Sequence, residues 1–540
     1  MIKQFLNLKI SENRLYYLLV TLFFAWMCLG IFPLVCYEDD SLTVIKGCDI
    51  AYNSGWELAR TYCYEYRMQP LSVNLLLLIK HIVPVFTCEQ IYCMMSALFS
   101  FAFFIGCTVF VRLITGENRF KILLAALLLP ETYAIAMYAN TAVPAAASLV
   151  WALVLIIKER KRWAALLLGI APMFRLDVLM VYPAILPLFM FLGNNFKKSL
   201  TLSAIYAAVV LTIGGLGFWL FQADFISAFH GYERWNVLVP RLHVLLGLTG
   251  YYLFIYMLLM PIGIYYIWRK KWYKELFLVL LPIALLHFCY RSMGCAAKHY
   301  LYITPFVLIV GLRSFGWFKE VVFTHKYLKY ATISALCIFE VISVSVVTSS
   351  RPWQTETIAY TAARVVKAGP IRLLNNDFYV GIGAGQYVPT MDELMLATGN
   401  LFYSWYIHEN KMPIVESRET LTQAIDQIPE AHIFTIGWNS SAFLSSYYLN
   451  QGYAFSRPDD QYFELSKNGH TLRMYNTSGA EEEADVRTAL LDFANNIHPD
   501  GDFYVVVKSP RLKYFFTHNF ACESIEKITD NLYKIKHPLW

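Results

Sequence analysis

The sequence predicts an α-helical polytopic membrane protein of about eleven spans with a C-terminal extracytoplasmic α/β domain. Apolar runs of about 17–25 residues, long enough to cross a hydrocarbon core of roughly 30 Å, recur from Arg14 to Ser350, and none follows Arg351. The chain is 57% hydrophobic with a mean hydropathy of +0.44, and only 16% of its residues are charged, against about 25% in soluble domains. Basic clusters fall in alternate connections between the apolar runs. Residues 1–350 therefore read as a membrane region and 351–540 as a soluble domain.

The candidate spans are 15–36, 90–111, 121–138, 141–157, 162–175, 177–193, 199–221, 244–268, 275–290, 299–315 and 327–350. Leu15–Cys36, Ser199–Phe221 and Val244–Trp268 lack interior charges and are apolar on all faces, as lipid-exposed helices are. Leu15–Cys36 is too long for a cleaved signal peptide and reads as a retained first span. Segment 71–87 carries Lys80 and His81 and reads as an interfacial or partly inserted helix, outside the count. Lys3/Lys9/Arg14, Arg112/Arg119/Lys121, Lys158/Arg160/Lys161/Arg162, Lys197/Lys198, Arg269/Lys270/Lys271/Lys274 and Arg313/Lys319/Lys326 all fall on one side. The positive-inside rule assigns that side to the cytoplasm. An odd number of spans then places the tail outside, in the periplasm or exterior of a bacterial inner membrane. The net charge of +6 reflects these clusters and implies no nucleic acid partner.

The loops assigned outside hold the polar residues that need explaining. The first begins Tyr37-Glu38-Asp39-Asp40, three carboxylates at a membrane boundary, where charge is costly unless solvated or used. It continues through Trp56-Glu57-Leu58-Ala59-Arg60 and Tyr64-Glu65-Tyr66-Arg67-Met68-Gln69-Pro70-Leu71, too elaborate for a connector. Cys48 and Cys63 lie in it, and an oxidising compartment would allow them to pair. Further along are Glu131, Phe174-Arg175-Leu176-Asp177, Arg234 in an aromatic loop, Arg291, and Lys298-His299-Tyr300-Leu301-Tyr302-Ile303-Thr304-Pro305.

Together these resemble the GT-C superfamily of polytopic membrane glycosyltransferases. The acidic pair after the first span, the Gln-Pro-Leu entry to the next helix, the Gly169…Arg175…Asp177 stretch and the basic-aromatic-Pro entry at Lys298–Pro305 stand in the family's order and on one side. The last of these is similar to the mannosyltransferases of the group. The resemblance implies transfer of a hexosyl or pentosyl unit from a polyprenyl-phosphate carrier to a glycan, lipid or protein acceptor outside the cytoplasm. It implies a base in the first loop, Asp40 by preference with Asp39 orienting it, although Glu-Asp-Asp departs from the usual acidic pair. A hydroxyl attacking an anomeric carbon needs such a base. The departing phosphate needs cations, for which Arg175, Arg291, Lys298 and His299 are candidates. Arg60, Arg67, Glu131, Asp177 and Arg234 are candidates for substrate binding. Arg175 could instead pair with Asp177 or reach the interface. Some family members use an acidic group at the place of Glu131 to hold a divalent metal, Mg or Mn, but no His/Cys cluster with ligand spacing calls for one here.

A transporter or flippase of lipid-linked sugars would show inverted repeats and midplane charges; no repeat is visible, and Glu340 is the main interior charge. A glycan polymerase or ligase normally carries a large late loop rather than a tail. In the tail, predicted helices at Thr357–Lys367, Glu419–Gln427 and Arg487–Asn496 precede predicted strands at Ile371–Asn375, His432–Ile436 and Phe503–Val507, an α/β pattern. Gly381-Ile382-Gly383-Ala384-Gly385 lacks the following helix that a nucleotide loop needs.

Overall fold

The computed structural model describes residues 12–30, 34, 36, 39–127, 129, 141–224, 255–289, 297–336, 418–436, 438–458, 462–476, 503–507, 525–529 and 531–536. It is a helical bundle capped at one end by short helices and a mixed β-sheet. Each predicted span has helix in its described part, with shifted ends. The first runs Glu12–Gly30, the second Cys88–Thr115 and the seventh Phe196–Leu220. The run 177–193 is not one α-helix: a 3-10 segment, Leu176–Ala184, leads into Ile185–Phe191. Pro183 and Pro187 bracket that change, since each proline lacks a donor for the i→i−4 ladder. Segment 71–87 contains the helix Pro70–Ile82.

Among the described residues two helices, Cys88–Thr115 and Phe196–Leu220, are long and apolar enough to cross a membrane by themselves, so the number eleven rests on the sequence. The outer surface of Phe196–Leu220 is the more telling feature. Leu211 is 70% and Trp219 75% exposed, with Leu200, Leu216 and Leu220 beside them, an apolar face that water does not favour. Where helices meet, small residues let backbones approach. A methyl group added to Gly263 would run into the Val310 carbonyl, and one on Gly106 into Val150 and Trp151, the close contact that small residues give membrane helices.

Contacts sort the loops into two ends. At the basic end Arg119 donates to the Tyr17 hydroxyl, Tyr206 to the Lys161 carbonyl, and Lys270 pairs with Glu320 at 2.9 Å. There Arg313 also grips Glu275 through two hydrogen bonds of 2.6 and 2.9 Å. The opposite end gathers the first long loop, Arg175, Tyr302 and the tail.

The helix Asp39–Ser54 is the centre of that opposite end. Ser41 through Ile45 and Gly47 through Ala51 are buried, because helices Pro70–Ile82 and Cys88–Thr115 cover one flank and the tail helix Trp438–Asn450 another. The tail sheet has strands β1 (Glu430–Ile436), β2 (Ala454–Ser456), β3 (Tyr462–Lys467), β4 (His470–Asn476), β5 (Phe503–Val507), β6 (Ile525–Lys527) and β7 (Leu532–Ile535). Their order is β2-β3-β4-β1-β5-β7-β6, with β1 parallel to β4 and β5 and the other pairs antiparallel. The predicted helix at 419–427 and the strands β1 and β5 are present. The predicted elements at 357–367, 371–375 and 487–496, and the boundary at 350/351, lie outside the described residues.

Polar links hold the sheet to the bundle. Asn53 donates to the Leu449 carbonyl at 2.6 Å, and the Phe455 amide donates to Ser54 at 2.8 Å. Glu89, buried at the start of Cys88–Thr115, accepts from the Cys36 amide and from Arg418 of the tail at 2.9 and 3.0 Å. Glu89→Gln leaves Arg418 a weaker acceptor in a buried place. The expected loss is about 1–3 kcal/mol, read as a lower thermal midpoint and faster proteolytic release of the tail.

Candidate active site

Of the residues singled out in the sequence, Arg60, Arg67, Arg175 and Asp177 have described side chains, at the end opposite the basic clusters. Asp39 and Asp40 are the first residues of the helix Asp39–Ser54. The helix dipole favours negative charge there. Their side chains, like Glu131, Arg234, Arg291 and the side chains of Lys298 and His299, lie outside the described residues. The backbone of Lys298 and His299 forms a 3-10 turn, Ala297–Tyr302.

That turn is tied to Arg175. At the end of helix Lys161–Phe174, Pro172 and an extended Arg175 backbone stop the α-helix. The Arg175 side chain turns inward, donating from Nε to Asp177 Oδ2 at 2.7 Å and from Nη1 to Thr141 Oγ1 at 2.5 Å. Tyr302 donates to Asp177 Oδ1 at 2.5 Å. All four residues are buried. One charged network thus joins the end of helix Lys161–Phe174, Thr141 and the turn bearing Lys298 and His299. The pairing of Arg175 with Asp177, one of the two alternatives the sequence left open, is present. Thr141 and Tyr302 were not singled out as site residues, although Tyr302 lies inside the quoted Lys298–Pro305 stretch.

Arg60 and Arg67 open on a different feature, a cleft of about 320 Å³ lined by Arg60, Thr61, Arg67, Gln222 and Asp224. Two short helices place them, Trp56–Tyr62 and Tyr64–Met68. Trp56 Nε1 donates to the Tyr66 hydroxyl at 2.7 Å, and Tyr66 donates to the Phe221 carbonyl at 3.1 Å, which fixes the first loop against the end of helix Phe196–Leu220. Arg60 hydrogen-bonds Glu57, and that bond holds the Glu57 carboxyl below its usual range. Arg67 donates to the Thr61 carbonyl at 2.8 Å. Between the cleft and the Arg175 network lies an apolar cluster of Met68, Met173, Leu176 and Phe218. The cleft is roomy enough for a polar headgroup, with two cations and one carboxylate to orient it. Among the described residues no cluster of three or more His, Cys, Asp or Glu could hold a metal.

Asp49 is a buried carboxyl that sequence reading passed over. Burial, then the neighbouring Cys88 and Glu89, push it well above the usual carboxylate range, and its Oδ2 has no hydrogen-bond partner. Below the unfolded value, about 3.9, Asp49 is neutral in both states and contributes nothing. As pH rises above it, the unfolded chain ionises first, so stability falls by up to about 1.4 kcal/mol per pH unit until the folded value is reached. Asp49→Asn is therefore expected to raise the thermal midpoint relative to wild type between pH 4 and 7 and to have no such advantage at pH 4 or below.

No protein-family model matches the sequence, and no curated protein matches it. Two solved structures do resemble this one. ArnT from Cupriavidus metallidurans bound to undecaprenyl phosphate superposes with a TM-score of 0.57 at 14% identity, covering 96% of this chain and 98% of that one. The same protein in its apo state gives 0.57 at 13% identity over 96% and 97%. The chain shares the fold of ArnT over 96% of its length.

Proposed function

We propose that this protein is a membrane-integral glycosyltransferase that moves a sugar, hexose or pentose, from a polyprenyl-phosphate carrier to a glycan, lipid or protein acceptor on the extracytoplasmic side. The observation that carries the reading is the whole-chain likeness to ArnT, whose structure holds undecaprenyl phosphate. The apolar outer face of Phe196–Leu220 supports insertion in a membrane, here the bacterial inner membrane. The segregation of basic clusters to one end supports placing the opposite end, with the tail, in the periplasm or exterior.

The acceptor hydroxyl attacks the anomeric carbon as Asp40 takes its proton, with Asp39 beside it orienting the base. The bond from the anomeric carbon to the phosphate oxygen breaks, and polyprenyl phosphate leaves. Lys298, His299 and Arg291 meet the negative charge that develops on it. Arg175 spends two of its donors on Asp177 and Thr141, so its role is to hold the Lys298–His299 turn in place and to add its charge nearby. Arg60 and Arg67 receive the polar part of a substrate in the cleft, and Glu131 and Arg234 complete the loops around it. The reading needs no metal; Mg or Mn dependence in the assay would direct attention to Glu131.

Membranes containing the protein are expected to transfer radiolabel from a member of a panel of polyprenyl-phosphate hexoses and pentoses to a non-extractable product. Absence of transfer across the whole panel, with endogenous acceptors present, would count against the reading.

A further inference from the structure

Cys48 and Cys88 are 40 residues apart in the chain, yet their sulfurs are 3.2 Å apart. Both are completely buried. Cys48 sits midway along Asp39–Ser54, and Cys88 opens the helix Cys88–Thr115. The sequence suggested Cys63 as a partner for Cys48, but Cys48 and Cys63 are not bridged. Cys63 instead packs beside Gly47 and Val73, its sulfur 3.7 Å from where a Gly47 side chain would begin. Closing the Cys48–Cys88 contact to a bond length of about 2.0 Å needs an approach of about an ångström.

We propose that Cys48 and Cys88 are an oxidation site, joined by a disulfide that staples the helix bearing Asp39 and Asp40 to the membrane bundle. The oxidant is a protein disulfide of the extracytoplasmic compartment. One cysteine thiolate attacks that disulfide and expels one of its sulfurs. The second then attacks the mixed disulfide, forming the Cys48–Cys88 bond and releasing the other. Two electrons and two protons pass to the oxidant, which leaves as a dithiol. Exchange occurs before the helix docks. In the docked state both sulfurs are buried, burial pushes the Cys48 thiol up, and a thiol held protonated is a poor nucleophile.

This inference rests on the reading that this end of the bundle faces an oxidising compartment. The test uses full-length protein purified without reductant from bacterial membranes, denatured, alkylated and digested. The expected result is a linked peptide pair containing Cys48 and Cys88 that disappears on reduction. In Cys48→Ser protein, Cys88 becomes alkylatable without reductant. Full alkylation of both cysteines in the wild type, or a Cys48–Cys63 link, would overturn the proposal. Diamide added to growing cells, where newly made chains meet it before the helix docks, then tells which premise failed. A Cys48–Cys88 link formed only by diamide puts the error in the sidedness, and no link even then puts it in the contact itself.

Discussion

Asp40→Asn is expected to lower sugar transfer by about 10²–10⁴-fold, the usual contribution of a general base, with protein level and thermal midpoint unchanged. Amide and carboxylate have nearly the same shape, so the variant removes basicity and little else. The position favours an ionised carboxylate: Asp40 follows Asp39 at the start of a 16-residue helix, where the dipole stabilises negative charge. The rest of that helix is clamped between bundle and tail. Asp39→Asn is expected to have a smaller effect. If the larger loss falls on Asp39, the two exchange roles; if neither variant loses activity, neither Asp39 nor Asp40 is the base.

Arg175→Met is expected to cost about 3–5 kcal/mol of stability, the usual consequence of stranding one partner of a buried ion pair. The side chains of Arg175 and Asp177 are only 9% and 0% exposed, and Thr141 would lose its bond from Arg175 while Tyr302 still donates to an Asp177 left without its cation. The double variant Arg175→Met/Asp177→Asn removes both charges and is expected to recover a large part of the thermal midpoint. Transfer by the recovered double variant should stay low, since the turn bearing Lys298 and His299 has lost its anchor and the site one positive charge. Normal transfer by a refolded double variant would reduce the network to a structural role.

Architecture was legible because hydropathy and charge spacing act over long stretches. Eleven apolar runs and six basic clusters carry enough repetition that errors of a few residues at each end do not matter. Details that depend on one or two residues fared worse. Asn468-Gly469 joins β3 to β4 with φ of 52° and 83°, the left-handed pair that Asn-Gly favours in a hairpin; that dipeptide was visible in the sequence and was passed over for the helix-then-strand pattern. The two cations of the cleft were legible as cations, but not the cleft, which needs Tyr66 to reach Phe221 across 155 residues. The Cys48–Cys88 contact was illegible for a similar reason: Cys63 is nearer in sequence, and only packing of the first loop onto Cys88–Thr115 brings the distant thiol close. Asp177 was a candidate substrate contact, yet the geometry gives its oxygens to Arg175 and Tyr302, because a buried carboxylate is costly unless its neighbours satisfy it.

The central claim is bond-breaking transfer at the extracytoplasmic face, not movement of an intact lipid-linked sugar. The direct test is mass spectrometry of lipids and acceptor from proteoliposomes holding the purified protein, a polyprenyl-phosphate sugar that supports transfer, and an acceptor extract. The account predicts that polyprenyl phosphate without its sugar accumulates one for one with glycosylated acceptor, and that Asp40→Asn abolishes both together. Sugar that changes leaflet with its bond to phosphate intact, and no polyprenyl phosphate released, would contradict it and leave the fold in the service of transport.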